Sequence, residues 1–347
     1  MELTQEYTMI SNGGSKMEYV KLGNTGLDVS RICLGCMGFG DVSTGFHQWV
    51  IDEEKSREVI KHALDLGINF FDTANVYSAG TSEEYLGRAL KDFADRDKVV
   101  IATKVNFRMH EGPNGAGLSR KAIMSEVEKS LKRLQTDYID LYIIHRWDYN
   151  TPIEETMEAL HDLVKMGKVR YIGASAMYAW QFQKAQYVAE KNGWTKFVSM
   201  QNHYNLIYRE DERELIPFCI ESKVALTPYS PLASGRLTRA KAEGSLRSET
   251  DKTQKMKYAS MEEVDQPIID RVGEIAEKYG VLRSHVALAW LWNRAAVVSP
   301  IIGATKLSHL DDVVEALKLK LTDDDMNYLE EMYQPHQLVG LIPYSYR

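Results

Sequence analysis

Residues 68–77 read INFFDTANVY: a short apolar run that ends on the carboxylate of Asp72, with Tyr77 five residues further on. Two later runs have the same form. Residues 99–105, VVIATKV, carry Lys104 near their end, and residues 139–145, IDLYIIH, end on His145. Apolar runs of this length, rich in Val, Ile and aromatic residues, predict buried strands. A polar residue at the carboxyl end of successive parallel strands is how a βα barrel arranges its chemistry. Asp72, Tyr77, Lys104 and His145 are therefore the candidate catalytic residues.

Outward from these three runs the pattern repeats. Apolar runs occupy 31–37, 69–74, 99–105, 139–145, 169–175, 197–203, 224–230 and 297–304. Eight is the number of strands that closes the barrel. Helix-period segments separate them. Ile123, Val127, Leu131 and Leu134 share one helical face, and Ser119 is placed to cap its start. Ile153, Met157, Leu160 and Val164 form a second stripe followed by Gly167. Val59, Ala63 and Leu66 form a third followed by Gly67, and a left-handed glycine favours helix ends. Such alternation predicts an α/β fold, a (β/α)8 TIM barrel.

The chain has 347 residues, which a length rule alone would divide in two, but one barrel with insertions and tails accounts for it equally well. Residues 1–16 read as a loose tail and 17–347 as a single barrel domain. Within it, 238–264 is charged without clear periodicity and reads as an inserted surface loop. A last helix is expected over 322–333, and the tail 334–347, QPHQLVGLIPYSYR, is expected to drape over the barrel.

Hydrophobic residues make up 44% and charged residues 26%, the balance of a soluble globular enzyme. The net charge of −7 argues against a nucleic-acid surface. No apolar run reaches the roughly 20 residues that span a bilayer, and the first residues lack a signal-peptide pattern. A cytoplasmic protein without membrane or nucleic-acid partners is expected, and nothing indicates an oligomer. The three cysteines, Cys33, Cys36 and Cys219, are too few for a disulfide framework. Cys33 and Cys36 form a C-x-x-C without a second ligand pair. Placed three apart on one strand, they would face opposite ways, which is a structural reading rather than a redox or metal site.

Tyr beside Lys, with a His opposite, suits carbonyl reduction. A Tyr hydroxyl is a poor acid near neutrality, and an adjacent Lys ammonium favours its phenolate. Asp72 would anchor Lys104, Lys104 would tune Tyr77, and His145 would orient the substrate oxygen.

The chain resembles the aldo-keto reductases over roughly residues 17–335. The segment GINFFDTANVYSAGTSEEYLGRAL is similar to that family's first signature, VVIATKV to its lysine strand, and SLKRLQTDYIDLYIIHRWD to the segment leading to its histidine. GKVRYIGASAM, VSMQNHYNLIYRE, TPYSPLASGRLT and SPIIGATKLSHLDD resemble its cofactor-binding strands. Within the family the likeness is to the bacterial aryl-alcohol-dehydrogenase-like branch, some of whose members are linked to sugar-phosphate metabolism.

The resemblance implies reversible conversion of a small carbonyl and its alcohol with NADP(H), and places the catalytic tetrad at Asp72, Tyr77, Lys104 and His145. It implies cofactor contacts at Gly35, Cys36 and Met37, and at Ser175 and Gln201 for the nicotinamide amide, with Tyr229 stacked on the nicotinamide. Ser230, Leu232, Gly235 and Arg236 would follow at the pyrophosphate, and Gly303, Thr305, Lys306, His309 and Asp312 at the adenosine phosphate. Lys306 is the residue placed to meet a 2′-phosphate. The chain departs from the pattern at Ala176, where many members have Asn, and at the adenine end, which reads His309, Asp312 and Val313 instead of Gln, Glu and Asn.

Trp49, Asn106, Trp147 and Tyr204 are candidate substrate contacts by their position in the loops after the strands. An aromatic lining suits aromatic or apolar aldehydes, whereas His110, Arg146 and Asn106 in the same loops suit a hydroxylated or phosphorylated substrate. Two rivals to the reductase are a non-catalytic nicotinamide-sensing module and a metal-dependent barrel hydrolase using Asp72 and His145. The latter lacks further ligands at the other strand ends.

Overall fold

A computed structural model describes residues 8–9, 17–240 and 252–343. Eight parallel strands form its centre: β1 (Cys33–Gly35), β2 (Phe70–Asp72), β3 (Val100–Val105), β4 (Ile139–Ile144), β5 (Val169–Ser175), β6 (Ser199–Gln201), β7 (Ala225–Leu226) and β8 (Ile301–Gly303). Each pairs with its neighbour in chain order, and β8 returns to pair with β1. A parallel bridge between Leu226 and Val297 joins β7 to the approach of β8 and closes the (β/α)8 barrel. All eight expected runs hold a strand.

Side-chain parity decides what lies inside. Along a strand, alternate residues face opposite ways. Phe70, Val100, Ala102, Leu141 and Ile143 pack together in the barrel interior, while Phe71, Ile101, Tyr142 and Ile144 pack outward against helices. Continuing the inward series brings Asp72, Lys104 and His145 to the carboxyl end. The register agrees: Gly35 lies opposite Asp72, Asp72 opposite Ala102, and Ser175 opposite Gln201.

The amino end is plugged. Glu18–Lys21 and Asp28–Ser30 form an antiparallel hairpin, extended by Thr8–Met9. Val20, Leu22 and Val29 of the hairpin are buried with the interior cluster. Each fully buried side chain of this kind contributes about 1.5–3 kcal/mol. Arg31 ties the plug to the seam by donating to the carbonyls of Val297 and Val298 at 3.1 and 3.2 Å.

Helices cover the outside: α1 (Glu53–Asp65), α2 (Thr81–Phe93), α3 (Arg120–Leu134), α4 (Ile153–Lys165), α5 (Ala179–Asn192), α6 (Leu215–Glu221), α7 (Lys252–Tyr258), α8 (Glu262–Tyr279), α9 (Arg283–Trp292), α10 (Leu307–Ala316) and α11 (Asp323–Glu330). Ser119 caps α3 as expected, accepting from the Ala122 amide at 3.2 Å. Gly67 and Gly167 adopt φ of 85° and 75° after α1 and α4.

The reading of 238–264 as a surface loop needs correction in its described part. Residues 252–258 and 262–279 are helical, and Tyr258 is buried. Seven residues are too short to show a stripe, and the burial of Tyr258 comes from side chains far along the chain. Its hydroxyl meets His203 Nε2 at 2.7 Å and accepts from Asn205 Nδ2 at 3.1 Å. Residues 241–251 lie outside the described part. So do 1–7, 10–16 and 344–347, and with them most of the expected amino-terminal tail, although Thr8–Met9 pairs with the hairpin. Cys36 is also not on the strand: it opens a 3-10 turn, Cys36–Gly38, after β1. Cys33 is part of the interior cluster and Cys36 of the outer one.

The tail after α11 crosses the carboxyl end of the barrel. His336 Nε2 meets Asp265 Oδ1 at 2.8 Å, the His336 amide donates to Glu210 at 2.7 Å, and the Val339 amide donates to Tyr208 at 3.0 Å. Both side chains of the His336–Asp265 pair are buried. Burial alone would depress the imidazole, but Asp265, joined by the Gln334 carbonyl and Glu210, outweighs it and the pKa of His336 is raised. A histidine so raised stabilises the fold fully below its unfolded pKa of about 6.5, and that stability is lost as pH rises through the raised folded value. The melting-temperature gap between wild type and His336→Asn is therefore expected to be largest near pH 6 and to shrink on going to pH 9. Thermal scans across that range check it, and a constant gap would refute the ionic contribution.

Candidate active site

Lys104 is fully buried and spends all three donors at once. Its Nζ donates to Asp72 Oδ1 at 2.5 Å, to the Thr73 carbonyl at 2.8 Å and to the Tyr77 hydroxyl at 3.2 Å. Asp72 is satisfied on its other side by Gln201, whose Nε2 donates to Oδ2 at 2.9 Å. Burial raises the Asp72 carboxyl, while Lys104 and Gln201 oppose that rise. For Lys104 burial works against the charge, but the neighbouring Asp72 and Tyr77 overcome it and hold the ammonium above its ordinary range. Asp72 and Lys104 thus form a buried ion pair.

Tyr77 departs from the sequence expectation in one respect. Burial outweighs Lys104, and the hydroxyl is raised rather than lowered. Because the Tyr77 oxygen accepts from Lys104, its own proton is left to donate elsewhere. His145 stands edge-on to the Tyr77 ring, with centroids 5.8 Å apart, and to Phe107, 4.8 Å away. Burial first, then the charges of Lys104 and Arg146, holds its imidazole well below the ordinary range, so it is neutral. Its buried Nδ1 has no hydrogen-bond partner.

The turn that carries Tyr77 is bent. Ser78, Ala79 and Gly80 all adopt positive φ, of 46°, 53° and 96°. Two successive non-glycine residues in this region store strain that surrounding contacts must hold. Thr81 Oγ1 donates to the Ser78 carbonyl and accepts from the Asp41 amide, both at 2.9 Å. Gly40 lies so close that a Cβ there would stand 2.4 Å from Ser78 Cβ.

The residues expected to bind a nicotinamide dinucleotide lie at the tips of β1, β5 and β6 and in the segments after β7 and β8. The buried Ser175 Oγ has no partner. Gly35, at the β1 tip, packs so that a Cβ would meet Ile301 at 2.7 Å, and Met37 lies in the turn that follows. After β7, Ser230, Ala233, Ser234 and Gly235 are left-handed, and Leu232 and Arg236 belong to the same loop. The Ala233 and Gly235 amides donate to the Ser230 and Leu232 carbonyls, both at 2.9 Å, so the loop turns tightly back on itself. Arg236 is half-buried, with Nη1 3.8 Å from Glu262 and a buried Nε without a partner. Gly303 and Thr305 follow β8, Lys306 is the residue preceding α10, and His309 and Asp312 lie on α10. The orphaned Ser175 hydroxyl and Arg236 Nε, with the loops after β7 and β8, fit an extended, phosphate-bearing cofactor.

Two assigned positions hold other contacts. Gln201 uses its amide N–H on Asp72. Tyr229 stacks on His203, 5.2 Å away and 10° from parallel, with the Lys257 ammonium 4.5 Å from its ring centre. Ala176 has φ of 42°, so the backbone keeps a conformation that suits Asn although the side chain is gone.

The substrate candidates divide. Trp147 is buried against Trp180, and the Asn106 amide donates to the Arg146 carbonyl at 3.2 Å. Trp49 stacks on His47, and from the same loop it is Phe46 that approaches Tyr77, at 5.9 Å. Tyr204 packs on Trp290 of α9 and donates to Glu212 at 2.5 Å, on the helix side of the sheet. Neither Lys257 nor the Gln201–Asp72 bond was visible in the sequence. Phe107 carried a signal, since it directly follows Asn106. Among the described residues no three His, Cys, Asp or Glu side chains gather to hold a metal ion, and no helix is long and apolar enough to cross a membrane.

Removing one member of a buried ion pair strands the other charge, at a cost of about 3–5 kcal/mol. Lys104→Met is expected to destabilise by that order, and Asp72→Asn combined with Lys104→Met by distinctly less than the sum of the single changes. Urea unfolding of the four proteins checks this, and strict additivity would count against the coupling.

A family model described as the aldo/keto reductase family matches residues 31–334. A versiconal hemiacetal acetate reductase of Aspergillus parasiticus is 46% identical over 339 residues, covering 92% of this chain and 98% of its own. An aldo-keto reductase of Metarhizium robertsii is 46% identical over 352 residues, covering 94% of each. A Schizosaccharomyces pombe protein provisionally named an aryl-alcohol dehydrogenase is 43% identical, covering 93% of this chain and 98% of its own. These relatives are fungal, so the bacterial branch of the resemblance gains no support from them. The match over nearly the whole barrel shows that the chain belongs to the aldo/keto reductase family.

Proposed function

We propose that the protein reduces a small aldehyde or ketone to its alcohol with NADPH, Tyr77 donating the proton. The observation that carries this reading is the chain Asp72–Lys104–Tyr77, with Lys104 Nζ 2.5 Å from the carboxylate and 3.2 Å from the phenol. When bound, the cofactor supplies the hydride. The protein supplies a proton at Tyr77 Oη and a charge beside it that stabilises the phenolate left behind. Neutral His145 offers an N–H to the substrate oxygen and fixes its approach to Tyr77. Phe46 and Phe107 exclude water from around the pair. Ser175 would hold the nicotinamide amide, and Lys306, at the start of α10, a 2′-phosphate.

The test is loss of NADPH absorbance with a panel of aromatic aldehydes, aliphatic aldehydes and sugars. Tyr77→Phe is expected to abolish turnover while NADPH binding, followed by fluorescence titration, stays nearly intact. Retained turnover with lost cofactor affinity would overturn the role of Tyr77. Lys306→Ala is expected to weaken NADPH more than NADH in the same titration, and equal weakening would take Lys306 away from the 2′-phosphate.

A further inference from the structure

Arg146 follows His145 directly and is half-buried at the mouth of the site. Its guanidinium lies 5.7 Å from the centre of the Phe107 ring, which itself abuts His145. The electrostatic environment places the same charge within reach of four site rings. After burial, it contributes to the shifts of Tyr77, His145, His203 and Tyr229.

What sets Arg146 apart is its partner. Most other half-buried arginines meet carboxylates, as Arg88 meets Glu53 at 2.6 Å, Arg96 meets Asp140 at 2.6 Å and Arg209 meets Glu212 at 2.7 Å; Arg283, which does not, donates to the Ile269 carbonyl of α8 and is not part of the site. Among the described residues no carboxylate stands within ion-pair distance of Arg146. Its side chain donates to the carbonyl of its own neighbour His145, at 2.6 Å. A guanidinium has five N–H donors, so most of this fork remains to be offered. The backbone beneath it is fixed, because Asn106 donates to the Arg146 carbonyl. A held, partly desolvated and unneutralised cation beside the proton donor is a site for an anion.

We infer that Arg146 is a specificity-determining residue that binds an oxyanion substituent, a carboxylate or phosphate, on the carbonyl substrate. This rests on the reductase reading and names the substrate class for that site. Bidentate capture of the oxyanion would anchor the far end of the substrate and leave its carbonyl oxygen between Tyr77 and His145. Phe46 and Phe107 would then flank the connecting atoms, which favours a flat, conjugated linker.

The test compares matched substrates on the full chain. Terephthalaldehydic acid is set against its methyl ester, and glyceraldehyde phosphate against glyceraldehyde, for wild type, Arg146→Gln and Arg146→Lys. Calorimetry of terephthalaldehydic acid on the protein without cofactor gives a readout independent of turnover. Wild type is expected to favour at least one anion over its neutral partner by roughly ten- to hundredfold in kcat/KM. Arg146→Gln is expected to erase that ratio and the calorimetric signal, and Arg146→Lys to keep part of both as a point charge. The preferred pair tells carboxylate from phosphate.

Turnover of the neutral aldehydes with no anion preference would overturn the subsite and leave the reductase standing. An anion preference that survives Arg146→Gln would overturn it as well. Binding of the acid that depends on Arg146, with no aldehyde reduced, would support the subsite and overturn the reductase instead.

Discussion

The ion pair of Asp72 and Lys104 is the constraint around which the carboxyl end of the barrel is arranged. Two opposite charges sealed from water lose most of their hydration, and they repay this only with close geometry and further hydrogen bonds. Here those bonds are supplied by the Thr73 carbonyl, the Tyr77 hydroxyl and the Gln201 amide. The pair therefore dictates where Tyr77 can stand and why Gln201, from a strand four positions round the barrel, is turned inward. Burial keeps the neighbouring His145 neutral, and the charge of Lys104 adds to it, since a second cation in this dry site would be costly.

Much of this was legible in the sequence because it follows from period-2 geometry. Once 69–74, 99–105 and 139–145 are strands in a closed barrel, parity sends Asp72, Lys104 and His145 to the same inward face at the carboxyl end. The stripes that became α3 and α4, and the glycines after α1 and α4, follow from local rules in the same way. What escaped depends on contacts between distant segments. The segment 252–258 has too few residues to show a helical stripe, and its Tyr258 is buried by His203 and Asn205, some fifty residues earlier. Tyr204 looked like a pocket residue from its position after a strand, but Trp290 and Glu212 draw it into the helix layer. Nor could charge counting show that burial, rather than Lys104, dominates at Tyr77.

The two sides of the mouth are built differently. One side consists of strand tips and the strained turn after Tyr77, all locked to the barrel. The other is assembled from α7 and the carboxyl-terminal tail, which meet at Tyr229. Lys257 lies over that ring, and Gly340 approaches so closely that a Cβ would stand 2.5 Å from its hydroxyl. Chemistry thus sits on the strand side, and the segments that shape access are held, among the described residues, through bonds to side chains such as Glu210, Tyr208 and Asp265.

The bond from Arg31 to the Val297 and Val298 carbonyls spans 266 and 267 residues of sequence. During synthesis the first strand is made early, and its partner in β8 emerges only after some 270 further residues. Until then the nascent sheet has two unpaired borders, which are sticky surfaces for other chains. Contacts of such separation also slow folding, because the chain must pay for a very long loop before gaining anything from it. Closure of the barrel thus waits for β8, and a chain cut short before it would keep seven strands and the helices up to α9 yet have no way to shut the ring.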